Sequence, residues 1–161
     1  MHYLAAALLL VQFALLWILD ETVEVVGLEY LAWAVWILSM ILLFLPMPTL
    51  RSRGNVQEGQ SYVETESLVE SGLYALVRHP QYLGWMLMYV VVFLFEPNWV
   101  LALLGVLGAA CVVLFTRQEE ARLVEKFGEP YTSYMERVPR FNLAAGIIRR
   151  LGARGEVQAQ E

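Results

Sequence analysis

The sequence predicts an all-α fold: a polytopic membrane helical bundle of about four transmembrane helices, followed by a cytoplasmic C-terminal helical segment. Composition is the first reason, since 58% of the 161 residues are hydrophobic and only 17% are charged, as is typical of integral membrane proteins. The second reason is that four apolar runs contain no charged residue. We expect a single domain over residues 1–152 and a disordered tail over residues 153–161.

The four apolar runs predict the spans in chain order, at residues 3–19, 30–45, 80–95 and 99–116. At a rise of 1.5 Å per residue, such runs reach roughly 24–27 Å, close to the ~30 Å hydrocarbon core of a bilayer. Pro80 favours the first position of the third helix, and Glu96-Pro97-Asn98 predicts a tight hairpin between the third and fourth helices. No basic segment precedes the first run, so we expect a retained span and not a secretory signal.

The polar segments that follow the second and fourth runs are expected to carry the chemistry. Pro46 predicts the end of the second helix, and a loop rich in Gly, Asn, Gln and Ser follows it. Beyond the fourth run, we expect the helix to continue to Gly128 and a short helix to lie between Pro130 and Pro139. Residues 143–151 predict an amphipathic turn at the membrane interface.

The distribution of basic residues predicts the orientation. All eleven Lys and Arg residues lie between the second and third runs or after the fourth. Because basic loops face the cytoplasm, we expect both of these segments, both termini and the active site to be cytoplasmic.

Charge and cysteine content exclude several partners. The net charge of −5 argues against a nucleic-acid partner. The single cysteine, Cys111, permits neither an intrachain disulfide nor a thiolate cluster, and the chain has only one histidine besides His79. We therefore expect no metal. The expected partners are membrane lipids and a lipophilic small-molecule or lipid substrate.

Two polar clusters flank the predicted hairpin. Arg78 and His79 precede its first helix, whereas Arg117, Glu119 and Glu120 follow the apolar run of its second helix. An antiparallel hairpin would bring both clusters to one cytoplasmic interface, a setting that suits an amphipathic substrate or cofactor.

Each cluster also has an ordinary interpretation when it is taken alone. Arg78 and His79 are typical of interfacial anchors, and Glu119-Glu120 is typical of a solvated helix face. The nearby tyrosines Tyr74 and Tyr82 are typical of interfacial aromatic residues, and Gly84 of helix packing. Only the expected convergence of the clusters favours a functional site.

Two stretches of sequence resemble one family. The first is Leu68-Val69-Glu70-Ser71-Gly72-Leu73-Tyr74 with Arg78-His79-Pro80-Gln81-Tyr82-Leu83-Gly84; the second is Glu119-Glu120-Ala121-Arg122-Leu123 with Phe127-Gly128, Tyr131, Tyr134 and Val138-Pro139-Arg140-Phe141. Together they resemble the cofactor motif of the isoprenylcysteine carboxyl methyltransferase and phospholipid methyltransferase superfamily. The resemblance covers nearly half of the chain.

The resemblance implies an integral membrane methyltransferase that uses S-adenosylmethionine. It implies a cofactor pocket lined by residues of both motifs: Gly72, Tyr74, His79, Tyr82, Gly84, Glu119 and Glu120. The acidic pair would bind the ammonium group or the ribose hydroxyls. Arg78, and less strongly Arg117, would orient the acidic group of the substrate or the methionine carboxylate.

Two other functional classes remain open from the sequence. Arg-His-Pro with a downstream Tyr and Gly also occurs in NADPH-dependent membrane sterol reductases, which are much longer, and a non-enzymatic membrane scaffold is the third interpretation. A carboxylate acceptor is already ionised at pH 7 and needs no general base, whereas an amine or a thiol needs one. The sequence offers no dedicated base, which favours an acid or a thiolate as the methyl acceptor.

Overall fold

The structure, a computed structural model, describes residues 2–19, 27–56, 59, 61 and 65–158. These residues form seven α-helices and one short 3-10 helix, and no strand occurs among them, so the all-α prediction is confirmed. In chain order the elements are α1 (His2–Ile18), α2 (Leu28–Phe44), α3 (Pro46–Arg53), the 3-10 helix (Gly72–Ala75), α4 (Pro80–Phe95), α5 (Trp99–Phe127), α6 (Glu129–Arg137) and α7 (Leu143–Gln158).

Each of the four apolar runs forms a helix, and the ends of these helices follow local signals. Pro80 is the first residue of α4, as predicted. The side-chain oxygen of Asn98 accepts the N–H of Val100 at 2.8 Å and so caps the start of α5. That helix continues beyond its apolar run to Phe127 and ends before Gly128, whose φ of 63° favours glycine.

Pro46 ends the second helix as predicted, but the loop does not follow at once, because α3 begins at this residue. Only Leu45 separates α2 from α3. Proline is well tolerated in the first turn of a helix, where its missing N–H has no partner to lose, so it starts a new helix here. The N–H of Gly54 donates to Leu50 O at 2.7 Å at the end of α3, and a side chain on this glycine would collide with Thr65.

The C-terminal segment is more helical than the sequence predicts. Residues 143–151, expected as one amphipathic turn, begin the 16-residue helix α7. Asn142 caps this helix, since its side-chain oxygen accepts the N–H of Ala145 at 3.0 Å. The helix reaches Gln158, inside the stretch expected to be a disordered tail, and residues 159–161 of that stretch lie outside the described residues.

Two helical stretches, Leu28–Arg53 and Trp99–Phe127, are long and apolar enough to cross a bilayer. Only 17% and 22% of their most apolar segments are buried within the protein, which sets them apart from the core helices of a soluble protein. Their exposed apolar surface indicates an integral membrane protein. The helices Tyr3–Ile18 and Pro80–Phe95 are apolar but shorter, so the count of four spans stays a prediction.

The chain divides into two compact units, each built from two separate stretches of sequence. The first unit comprises residues 1–43 and 81–121, and the second comprises residues 44–80 and 122–161. Helix α5 contributes residues to both units. The predicted site residues are therefore divided between the two units.

Polar side chains tie α1 to the hairpin helices inside the first unit. Its apolar core consists of Ala5, Leu9, Tyr89, Val92, Leu101 and Val112. The fully buried amide of Gln12 donates to Leu101 O at 2.9 Å and to Tyr89 O at 3.3 Å, and the Tyr89 hydroxyl donates to Ala5 O at 2.7 Å. In an apolar environment, polar groups are costly unless they are hydrogen-bonded, so these bonds help to fix the register of α1 against α4 and α5.

Candidate active site

The predicted site residues form two sets, one in each unit. The first unit holds Tyr82, Gly84, Arg117, Glu119 and Glu120, and the second unit holds Gly72, Tyr74, Arg78 and His79. Both sets border the hairpin: Arg78 and His79 directly precede α4, while Glu119 and Glu120 lie on α5 beyond its apolar run.

The guanidinium of Arg78 binds the end of α6. Its Nη1 donates to Met135 O at 2.5 Å and to Val138 O at 2.6 Å, and the residue is only 9% exposed. The last carbonyls of a helix have no partner within the helix, and a cation near them is favoured by the helix dipole. This geometry gives Arg78 a positioning role within the second unit, and its predicted contact with an acidic group of a ligand stays a prediction.

The backbone beside Arg78 continues this attachment to His79. The N–H of Arg78 donates to Pro139 O at 2.9 Å, and the N–H of His79 donates to Arg140 O at 3.3 Å. The His79 side chain is buried, and the centre of its ring lies 6.2 Å from that of Phe141. The two resembling stretches are distant in sequence, yet main-chain hydrogen bonds join residues 78–79 of the first stretch to residues 139–140 of the second within the second unit.

Tyr134 links α6 to the 3-10 helix. Its hydroxyl donates to Tyr74 O at 2.6 Å, and both side chains are buried. Burial raises the pKa of the Tyr134 phenol well above its usual value, and the neighbouring Tyr131 and Tyr74 raise it further, while Arg78 opposes the shift. Gly72 begins the 3-10 helix at a φ of 64°, which favours glycine, and lies close to Thr49.

Replacing Tyr134 with Phe is expected to lower the free energy of unfolding by about 1–2 kcal/mol at neutral pH, because Tyr74 O loses a buried donor. The stability of the same variant should also depend less on pH in the alkaline range. Since the pKa of the phenol is higher in the folded than in the unfolded protein, wild-type stability should fall as the pH rises above about 10, where the unfolded phenol ionises first. Denaturant unfolding in detergent between pH 8 and pH 11 measures both effects. An equal alkaline loss in the two proteins would contradict this assignment to Tyr134.

Gly84 and Tyr82 serve packing within the first unit. Ser39 Oγ donates to Gly84 O at 2.8 Å, and a Cβ on Gly84 would lie 2.9 Å from Leu43 Cγ and 3.1 Å from Ser39 O. Glycine therefore allows α2 to approach α4 closely. The Tyr82 ring contacts the Phe115 ring edge-on, with 5.6 Å between their centres. The packing interpretation of Gly84 is confirmed, and its predicted contact with a cofactor stays a prediction.

The acidic pair on α5 does not form a solvated helix face. Glu120 is only 3% exposed, and Oε2 of Glu119 is buried as well. Arg117, one turn earlier on the same helix, is exposed. A carboxylate is almost never fully buried unless donors or cations compensate its charge, so the position of Glu120 is typical of a structural ion pair or a binding site.

Sequence reasoning missed the partners of these residues. The carbonyl oxygens that bind Arg78 and Tyr134 belong to the main chain, and any residue type provides such an oxygen. Tyr131 and Tyr134 belong to the second resembling stretch and, three positions apart on a helix, lie on one side of it, but neither signal identifies the carbonyl that the hydroxyl binds. Ser39, which holds Gly84, carried no signal, because a lone serine in an apolar helix is unremarkable.

The described residues supply groups suited to S-adenosylmethionine. Buried carboxylates can accept hydrogen bonds from an ammonium group or from ribose hydroxyls, and aromatic rings can contact an adenine ring or a sulfonium. Among the described residues, no cluster of His, Cys, Asp and Glu has the arrangement of a metal site.

The exposed apolar helices and the buried polar residues at their ends define an integral membrane protein with a candidate site of binding or catalysis. The family model of the isoprenylcysteine carboxyl methyltransferase (ICMT) family matches residues 32–125, more than half of the chain. This range includes every candidate site residue from Gly72 to Glu120. The chain therefore belongs to the isoprenylcysteine carboxyl methyltransferase family.

Several curated relatives share part of this sequence. The chain is 40% identical to the mouse and human proteins named protein-S-isoprenylcysteine O-methyltransferase over 82 residues, which are 47% of this chain and 27% of each relative. It is 36% identical to the fission yeast protein of the same name over 101 residues, which are 56% of this chain and 42% of that relative. The match thus spans less than half the length of each relative. No solved structure matches the chain.

Proposed function

We propose that this protein transfers a methyl group from S-adenosylmethionine to a lipophilic acceptor at the membrane interface. The preferred acceptor is a carboxylate of the isoprenylcysteine type. The observation that carries the proposal is the family match, because it spans both sets of candidate residues. The burial of Glu120 supports it, because neither an anchor nor a solvated helix face requires a buried carboxylate.

The cofactor is assigned to residues of both sets. Glu119 and Glu120 are proposed to bind its ammonium group or ribose hydroxyls, in line with their buried oxygens. Gly72, Tyr74, His79, Tyr82 and Gly84 are the other proposed cofactor residues. Arg78 positions residues 138–140 beside His79. Arg78 and, less strongly, the exposed Arg117 are the proposed residues for contact with an acidic group of the acceptor or with the methionine carboxylate.

Methylation of a carboxylate acceptor requires no acid–base chemistry from the side chains of the protein. When bound, the cofactor supplies an electrophilic methyl group, which an ionised carboxylate can accept without a base. The residues of the protein then need only to bind and orient the cofactor and the acceptor and to exclude water. Catalysis therefore rests on positioning and desolvation. The predominantly apolar, exposed surface of α2 and α5 suits an acceptor that reaches the site from the lipid phase.

Calorimetric titration of the purified protein in detergent with S-adenosylhomocysteine tests the cofactor assignment. We expect saturable binding of S-adenosylhomocysteine, the product that S-adenosylmethionine leaves after methyl transfer, and no binding of NADPH. Binding of NADPH alone would support a reductase, and no heat with either ligand would support a scaffold.

Methyl transfer to different acceptors tests the substrate class. The protein in vesicles is given radiolabelled S-adenosylmethionine with a prenylated cysteine, a long-chain thiol or an aminophospholipid. We expect transfer to the prenylated cysteine and release of volatile methanol on mild base treatment, because only a methyl ester is hydrolysed in this way. A base-stable product would overturn the carboxylate assignment while leaving methyltransferase activity in place.

The proposed orientation places residues 46–81 and the tail from Arg117 on the cytoplasmic side. With Cys111 replaced by Ala, single cysteines at Ser61, Asn98 and Ser133 report the side of the membrane. An impermeant thiol reagent outside intact cells should label the Asn98→Cys protein and spare the other two until the cells are opened. Labelling of the Ser61 and Ser133 reporters from opposite sides would contradict a common cytoplasmic face.

A further inference from the structure

Helix α7 contacts the rest of the second unit through its small and basic side. Gly146 is buried against the main chain of Leu76, so close that a Cβ would collide with the Leu76 carbonyl. Three residues later, Arg149 donates to Ala75 O at 2.7 Å. Positions three apart share one side of a helix, so a single side of α7 makes both contacts with the 3-10 helix region.

The opposite side of α7 is apolar and exposed. Ile147, Ile148 and Leu151 are 41%, 69% and 62% exposed. An amphipathic helix of a soluble protein normally packs its apolar side on the core and leaves its polar side in water. Here the arrangement is reversed, since close packing at Gly146 fixes the helix while the large apolar side chains point away from the unit.

The charge of the same stretch indicates what covers this apolar surface. Residues 143–152 include two arginines, Arg149 and Arg150, and no acidic residue, in a chain whose net charge is −5. Arg150 is exposed. A helix with an apolar side and basic residues suits a bilayer surface, where apolar side chains enter the acyl boundary and arginines meet anionic headgroups. The apolar helices of this chain indicate that a bilayer is present.

We propose that α7 lies in the membrane interface, with Ile147, Ile148 and Leu151 inserted among the lipids and Arg150 on anionic headgroups. Close contact at Gly146 and the bond from Arg149 to Ala75 O then couple the membrane surface to the 3-10 helix that begins at Gly72. This role is independent of the proposed methyl transfer, since it rests only on the contacts and exposure of α7.

Spin labels on the full chain in lipid vesicles test the insertion. In the Cys111→Ala background, single cysteines replace Ile148, Leu151 or, as the matched control, Ala145, which lies on the Arg149 side of the helix and is also exposed. Oxygen partitions into lipid and a nickel chelate stays in water. We expect the ratio of oxygen to nickel collision rates to be severalfold higher at positions 148 and 151 than at 145.

Equal ratios at all three positions would overturn the proposal, because α7 would then lie in water. Low collision rates with both reagents, together with dipolar broadening between labels, would also overturn it, because a second copy of the chain would then cover the apolar side.

Varying the lipid composition tests the role of the anionic headgroups. The label at position 151 should lie deeper in vesicles that contain phosphatidylglycerol than in pure phosphatidylcholine. Arg150→Gln should abolish this difference and Arg150→Lys should preserve most of it, because the attraction depends on charge. A depth that does not respond to anionic lipid in the wild-type helix would overturn the assignment of Arg150.

Discussion

Replacing Glu120 with Gln is expected to weaken the binding of S-adenosylhomocysteine by roughly 10- to 100-fold while the fold persists. Glu120 is only 3% exposed, at a point where α5 has left its apolar run. A hydrogen bond that involves a charged group is worth about 1.5–3 kcal/mol, which corresponds to that range of affinity. Calorimetry in detergent gives the affinity, and circular dichroism reports whether helix content is kept.

Glu125 offers a matched control on the same helix. It is exposed, so Glu125→Gln removes the same charge without disturbing a buried group and should leave the affinity unchanged. Glu119→Ala should weaken binding as Glu120→Gln does. If Glu119 and Glu120 can both be replaced without any loss of affinity, their role lies in the structure of the first unit, and the proposed cofactor contact is wrong.

Replacing Arg78 with Ala is expected to destabilise the second unit by about 2–4 kcal/mol and to lower turnover sharply. The change leaves Met135 O and Val138 O without the Nη1 donor that they share. Buried acceptors without a donor cost about 1–3 kcal/mol each. Thermal unfolding in detergent measures the stability, and proteolysis should cleave the 128–142 region faster in the variant.

Arg137, the last residue of α6, provides the control for this experiment. It is 57% exposed and pairs with Glu70 at 2.9 Å, and an exposed ion pair contributes about 1 kcal/mol or less. Arg137→Ala should therefore have a small effect on both stability and turnover. Arg78→Lys should rescue poorly, since the ammonium is a point charge on a shorter side chain and does not reproduce the guanidinium geometry. Full activity and stability of Arg78→Lys would contradict the positioning role.

The helices were readable from the sequence because local chemistry decides where they begin and end. A proline fits only the first turn of a helix, as at Pro80, and a glycine with positive φ follows its last turn, as at Gly128. The same local chemistry applies at Pro46, which ends α2 as predicted. The sequence shows that the residue interrupts one helix, but not that the chain immediately resumes another, since a proline permits both.

The family and the residues of its two characteristic stretches were also accessible from the sequence, because the resemblance depends on residue identities and their order. The particular functions of those residues were not. Arg78 donates to main-chain oxygens, which every residue has and which therefore leave no trace in the sequence, while its predicted contact with a ligand stays a prediction.

The sequence by itself determined the all-α class, the positions of the apolar helices and the two polar stretches that identify the family. These features depend on side-chain type and spacing within one segment. Only the tertiary structure decided that Glu120 is buried and that α7 packs through Gly146 with its apolar side exposed. It also decided that hydrogen bonds of Arg78 and Tyr134 attach α6 to the rest of the second unit. Burial and hydrogen bonding to the main chain depend on which distant segments meet, and periodicity alone gives a helix its two sides without stating which one faces the protein.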